Sequence, residues 1–176
     1  MRTLKGWIVA CCIAPCLSFT WLDDEVVNPP PATDYTLHTL YIFNFTKYVE
    51  WPSGSKAVKI GLVDNPEAEA ALQRMAQAKS TGGSELKVIN TRNEAELGAC
   101  QIIFIPSNST PLTGKLIEHF NAAPVLIVTE EADLTRRGAS ISFKMVSGKL
   151  RFQINEEVIK SKGMKISGSL VSLAEK

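Results

Sequence analysis

A chain of 176 residues that is 45% hydrophobic has enough material for one ordinary domain with a substantial core. Nineteen basic residues face eighteen acidic ones, a formal net charge of +1, and the lysines and arginines are scattered along the chain. This excludes the concentrated positive charge of a nucleic-acid-binding protein and a polybasic membrane contact.

The amino terminus places Arg2 and Lys5 ahead of an uncharged run, GWIVACCIAPCLSFTWL, that ends at Leu22. A basic start and a short apolar core over residues 6–17 predict an exported chain with a signal peptide over 1–20, cleaved near Ser18–Thr20. The core falls short of the ~20 residues that cross a bilayer, against the rival reading of an uncleaved anchor. Cys11 has the small residue before it that lipidation needs but too little apolar sequence upstream, and Pro15 counts against Cys16. With Cys11, Cys12 and Cys16 inside the leader, the mature chain keeps Cys100 alone, so no internal disulfide can form. Because Cys100 leads into the apolar IIFI, it reads as a small buried hydrophobe.

Residues 21–33 form a linker with three consecutive prolines, stiff and extended. A helix is predicted from a cap at Asp34 to Trp51-Pro52, where the residue before proline resists helical geometry. Then come a strand VKIGLV (58–63), a helix PEAEAALQRMAQAK (66–79), a turn at Gly82-Gly83 and a strand ELKVIN (85–90). About one helical turn at NEAEL (93–97) precedes a strand QIIFIP (101–106), a helix PLTGKLIEHFN (111–121) and a strand PVLIVT (124–129). Short apolar strands alternating with helices predict a single doubly wound, Rossmann-like α/β domain over 34–176 with a largely parallel sheet. ASISFKMVSG and KLRFQIN alternate apolar and polar residues around Ser147-Gly148, predicting a C-terminal antiparallel hairpin. Asn155 is placed to cap a helix EEVIKSK that Gly163 stops, with a terminal helix in SGSLVSLAEK.

Catalytic motifs are missing. His38 and His119 have no cysteine or carboxylate at metal-ligand spacing, so neither a metal nor a cofactor is expected. There is no Gly-x-Ser-x-Gly elbow, Walker loop or Gly-x-Gly-x-x-Gly. Asp64, Thr129 and Lys144 near successive strand ends have the residue types of a phosphoacceptor receiver. The position that would carry the acceptor holds Ser107, which lacks the carboxylate this chemistry needs. In an open α/β sheet, ligands favour the crevice at the carboxyl ends of the strands. That makes Asp64, Asn65, Ser107, Asn108 and Glu130, with Ser109, Thr110 and Glu131 beside them, either a small polar binding site for a small molecule or glycan fragment or ordinary loops.

The stretch LHTLYIFNFTKYVEWP (37–52) holds five of the thirteen aromatic residues. It is too short and too charged to span a bilayer. On a helix, Leu37, Leu40, Tyr41, Phe45, Tyr48 and Trp51 share a broad apolar face, with Ile42, Phe43 and Val49 beyond it. A narrow polar stripe remains around His38, Thr39, Thr46, Lys47 and Glu50. One face should cover the sheet. The remaining aromatics, among Tyr41, Phe43, Phe45, Tyr48 and Trp51, then either contact a partner or a second copy, or are buried on both sides.

LYIFNFTKYVEWP, VKIGLVDNP, CQIIFIPS, VLIVTEEADLTRRGASISF and LRFQINEEVIKSKGMKISGSLVSLA, in that order, resemble the successive signatures of the YfiR-type periplasmic regulators. The resemblance implies a non-enzymatic, homodimeric α/β protein in the periplasm. Such a protein binds the outward part of an inner-membrane diguanylate cyclase and restrains cyclic-di-GMP output until envelope stress or a third protein releases it; a sensor kinase is the other candidate partner. The cysteine pairs of the known regulators are missing, and Ala139 stands where a second glycine is usual.

Overall fold

In the computed structural model, residues 33–54, 57–79 and 86–175 are described. The predicted leader, the linker and the Gly82-Gly83 turn lie outside them. Helix α1 (Thr36–Tyr48) leads into the two-residue strand β1 (Val49–Glu50). Then follow β2 (Val58–Leu62), α2 (Pro66–Lys79), β3 (Leu86–Asn90), α3 (Glu94–Gly98), β4 (Ile102–Ile105), α4 (Thr110–His119) and β5 (Leu126–Thr129). A 3-10 turn at Leu134–Arg137 precedes the hairpin β6 (Ile141–Val146) and β7 (Lys149–Ile154), and α5 (Glu156–Ser161), β8 (Lys165–Ile166) and α6 (Gly168–Val171) close the chain.

The main sheet has the order β3-β2-β4-β5-β6-β7. Its first five strands are parallel and β7 runs antiparallel to β6. Counted from the first parallel strand, the order is 2-1-3-4-5, one of the two common doubly wound arrangements, with its switch point between β2 and β4. The parallel strands are apolar on both faces because both are covered. Ile60, Leu62, Phe104, Val128, Phe143 and Phe152 pack towards α1, α2 and α6. Val63, Ile103, Ile105 and Ile127 pack towards α3 and α4. Cys100 is buried, beside Gly61, where a Cβ would come within 3.1 Å of its Sγ.

Local signals act as their chemistry requires. Asn155 accepts a 2.9 Å hydrogen bond from the Val158 amide at the start of α5; the N-cap of α1 is Tyr35 and not the expected Asp34, whose carboxylate accepts from the Thr36 amide at 2.9 Å. Ser147 and Gly148 take φ of 49° and 73°, the left-handed pair that a tight hairpin demands.

Two expectations about the aromatic helix need correction. It stops at Tyr48, not Trp51, because Val49 turns extended (φ −113°, ψ 132°) and pairs with Ile166 of β8. The expected polar stripe is also partly inward: His38 and Thr39 are buried with Ile42, Phe43 and Phe45. The outward face carries Leu37, Leu40 and Tyr48, at 53%, 45% and 39% exposure. The inner face is fixed by ring contacts, Phe45 lying 6.1 Å from Phe143 and 5.3 Å from Phe152.

Phe45→Ala should therefore cost about 3–5 kcal/mol of unfolding free energy in urea titration. Leu40→Ala, on the outer face, should change it by less than about 0.5 kcal/mol.

Candidate functional site

The crevice residues singled out in the sequence are brought together at the switch point. The Asn65 side chain leaves the end of β2, caps α2 by accepting from the Ala68 amide (2.8 Å), and donates to Tyr35 Oη (3.0 Å) and Asn108 Oδ1 (3.3 Å). Asn108 donates in turn to the Asp64 carbonyl (3.0 Å). Ser107 contributes its backbone amide, which donates to Glu130 Oε2 (2.8 Å). Asp64 takes a left-handed backbone (φ 48°) and turns its carboxylate outward to Arg92.

Two members, Tyr35 at the N-cap of α1 and His38 within it, were missed. Tyr35 Oη donates to Glu130 Oε2 (3.3 Å), and His38 Nε2 lies 3.7 Å from Glu130 Oε1. The buried His38 ring packs 4.9 Å from Phe143 and 5.4 Å from Tyr35, and its Nδ1 has no hydrogen-bond partner. A polar residue one helical turn after a tyrosine, at a helix start rich in apolar residues, was the available signal. Its partner lies 92 positions away.

Burial pushes the Tyr35 phenol up to about 12, helped by the charge of Glu130. Burial lowers the His38 pKa, and Glu130 only partly opposes it. At neutral pH the cluster therefore holds a protonated tyrosine and an uncharged histidine beside Glu130, which ties α1 to the end of β5. Among the described residues no three His, Cys, Asp or Glu side chains are placed to share a metal ion. The receiver-like set is not assembled for chemistry: the buried Thr129 hydroxyl bonds to the Glu131 carbonyl and Ser142 Oγ, and Lys144 pairs across the hairpin with Arg151.

The aromatic candidates separate into three environments. Phe45 is fully buried, so it belongs to the core and not to a surface. Phe43 is buried beneath the Lys47 and Lys79 ammonium groups, 4.4 and 5.7 Å from its ring centroid. Trp51 is half-buried and donates from Nε1 to the Gln101 carbonyl (3.1 Å). Tyr41 is half-buried and reaches the Leu150 carbonyl at 3.4 Å. Tyr48 remains exposed, in line with Leu37, Leu40 and Asn44 on the outward face of α1. Leu37 and Leu40, the most exposed of this stripe, were placed on an apolar face but not among the contact residues.

The arrangement defines a doubly wound α/β domain whose switch-point crevice is filled by its own polar side chains. Residues 35–175 match the DUF4154, YfiR/HmsC-like, family model, and the chain belongs to that family. Among solved structures it is similar to a conserved domain protein from Vibrio cholerae O1 biovar El Tor str. N16961, with TM-score 0.53 and 15% identity over 81% of this chain and 59% of that one. It also matches the ABC domain in complex with L-Trp from Streptococcus pneumonia, with TM-score 0.49 and 11% identity over 66% of this chain and 54% of that one. The first likeness speaks for the fold; the second carries no argument. The chain thus spans less than two thirds of either chain. No helix among the described residues is long and apolar enough to cross a membrane.

Because the folded-state pKa of His38 is depressed, its contribution to stability is intact above the unfolded value of about 6.5. It is lost as pH falls towards the lower folded value. Urea titrations between pH 7.5 and 5 should show stability falling with pH more steeply for the native protein than for His38→Phe. Parallel slopes would show that His38 does not titrate differently in the folded state.

Proposed function

We propose that the protein is a non-enzymatic periplasmic regulator that docks the outward face of α1 on the extracytoplasmic part of an inner-membrane signalling protein. By family analogy that protein is a diguanylate cyclase, with a sensor kinase as the other candidate. Family membership supports the coarser reading of a regulator in cyclic-di-GMP signalling. The observation that carries the finer one is the stripe Leu37, Leu40 and Tyr48, left exposed on a helix whose other side is locked into the core. Large apolar side chains gathered on one face mark contact surfaces, and a tyrosine among leucines has the make-up of an interface anchor. A second copy of the chain would use the same stripe in a homodimer.

The alternative of a small-molecule module at the switch point has less support. The Asn65 and Asn108 amides and the Glu130 carboxylate are engaged with one another, with Tyr35 and with the Ser107 backbone amide, which leaves few of these groups for a ligand.

The double substitution Leu40→Asp with Tyr48→Ala should leave the melting temperature within about 3 °C of native, as surface changes do. It should weaken partner binding roughly tenfold or more, the effect of losing one or two anchors. In cells, cyclic-di-GMP should rise to the level of a strain lacking the protein. An unchanged level with the variant present at native abundance would contradict the proposal.

A further inference from the structure

Doubly wound domains ordinarily place a helix in each crossover between parallel strands. The crossover from β5 to β6 holds only the 3-10 turn Leu134–Arg137, although the strands beneath it stay buried. A cleft of about 500 Å³ lies between α4, the 3-10 turn and α5. Ile117, Leu134 and Val158 contribute apolar lining, and Thr110, Thr113 and Ser161 supply hydroxyls.

Lys162 lines the same cleft and is only 5% exposed. Its Nζ donates one hydrogen bond, to the Val125 carbonyl (3.1 Å), out of the three an ammonium can give. Among the described residues no carboxylate forms an ion pair with it. A buried cation without a counter-ion is costly, and burial alone pulls its pKa down to about 8. The other charged groups on the cleft are Arg137 of the 3-10 turn, Glu118 of α4 and Glu131 after β5. Glu131 stands where β5 ends and Lys162 where it begins, towards opposite ends of the cleft; Glu118, in the last turn of α4 before β5, is on the Lys162 side but is not ion-paired with it.

We propose that this cleft is a binding site for a small organic carboxylate, whose charged group pairs with Lys162 and whose apolar body rests on Ile117, Leu134 and Val158. A carboxylate supplies both missing acceptors of Lys162 together with the missing charge. The apolar floor gives the rest of the molecule a reason to leave water. The site is separate from the outward face of α1, it meets the strand-end crevice only through Thr110 and Glu131, and it stands whether or not α1 docks a partner.

The test uses the mature protein with hexanoate as the probe, hexyltrimethylammonium as a cationic control and inorganic phosphate as an anion without an apolar body. The readout is the lysine Cε resonances, with Lys162 assigned by its loss in Lys162→Met. Hexanoate should shift the Lys162 resonance saturably, raise its apparent pKa above the value in the free protein, and bind at least tenfold more tightly than either control. Affinity should fall as pH rises past 8.

Gly114 offers a variant that fills the cleft without disturbing the fold. It is exposed on α4, lines the cleft, and a Cβ there meets nothing within 4 Å. Gly114→Leu should raise the melting temperature by about 2–4 °C through helix propensity and abolish the hexanoate shift. Equal binding of anion and cation, an unmoved Lys162 resonance, or undiminished hexanoate binding by Gly114→Leu would each overturn the proposal.

Discussion

The structure depends on the seating of α1 against the face of the sheet formed by β4, β6 and β7. Phe45 inserts between Phe143 and Phe152, Tyr41 packs 5.2 Å from Phe152, and Ile42 closes the space below them. At the amino-terminal end the contact changes character, and Tyr35 and His38 reach Glu130 at the end of β5. In a doubly wound fold a face of the sheet left bare would be unsustainable in water. Here the cover comes from a helix that precedes the first main-sheet strand, so the first element of the domain closes over strands made last.

That arrangement accounts for the chemistry at the switch point. The crevice between β2 and β4 is where such folds hold ligands, but Tyr35 at the N-cap of α1 reaches Asn65 there, and His38 one turn on faces Glu130. Asn65 and Asn108 then find partners within the chain, and Glu130 accepts from Tyr35 and from the Ser107 amide. Burial holds the tyrosine protonated and the histidine neutral. The groups are engaged in closure, while Leu37, Leu40 and Tyr48 stay exposed on the outer side of α1.

Much of this was legible in the sequence. The apolar strands, their helices, the Ser147-Gly148 hairpin and the Asn155 cap follow from local chemistry that the tertiary structure does not override. The gathering of Asp64, Asn65, Ser107, Asn108 and Glu130 followed from strand order, because each stands just after a parallel strand. The phase of α1 was not legible. Apolar residues surround nearly all of that helix, so periodicity selects no single inner face, and His38 and Thr39 turn inward for partners distant in sequence. The end of the helix at Tyr48 was hidden for the same reason: the pull on Val49 comes from Ile166. Nothing local announces the missing crossover helix either, since the cleft beside α4 exists only once β5 and β6 are paired.

The central claim is that α1 has two roles on two faces, the inner holding the fold and the outer meeting a partner. Photo-cross-linking in cells, with a photoreactive amino acid at Leu40 and at the exposed Lys87 of β3 as a control, tests it most directly. The account predicts that position 40 captures a membrane protein with an extracytoplasmic domain and that position 87 does not. Equal capture from both positions, or capture of nothing but a second copy of the chain from position 40, would contradict it.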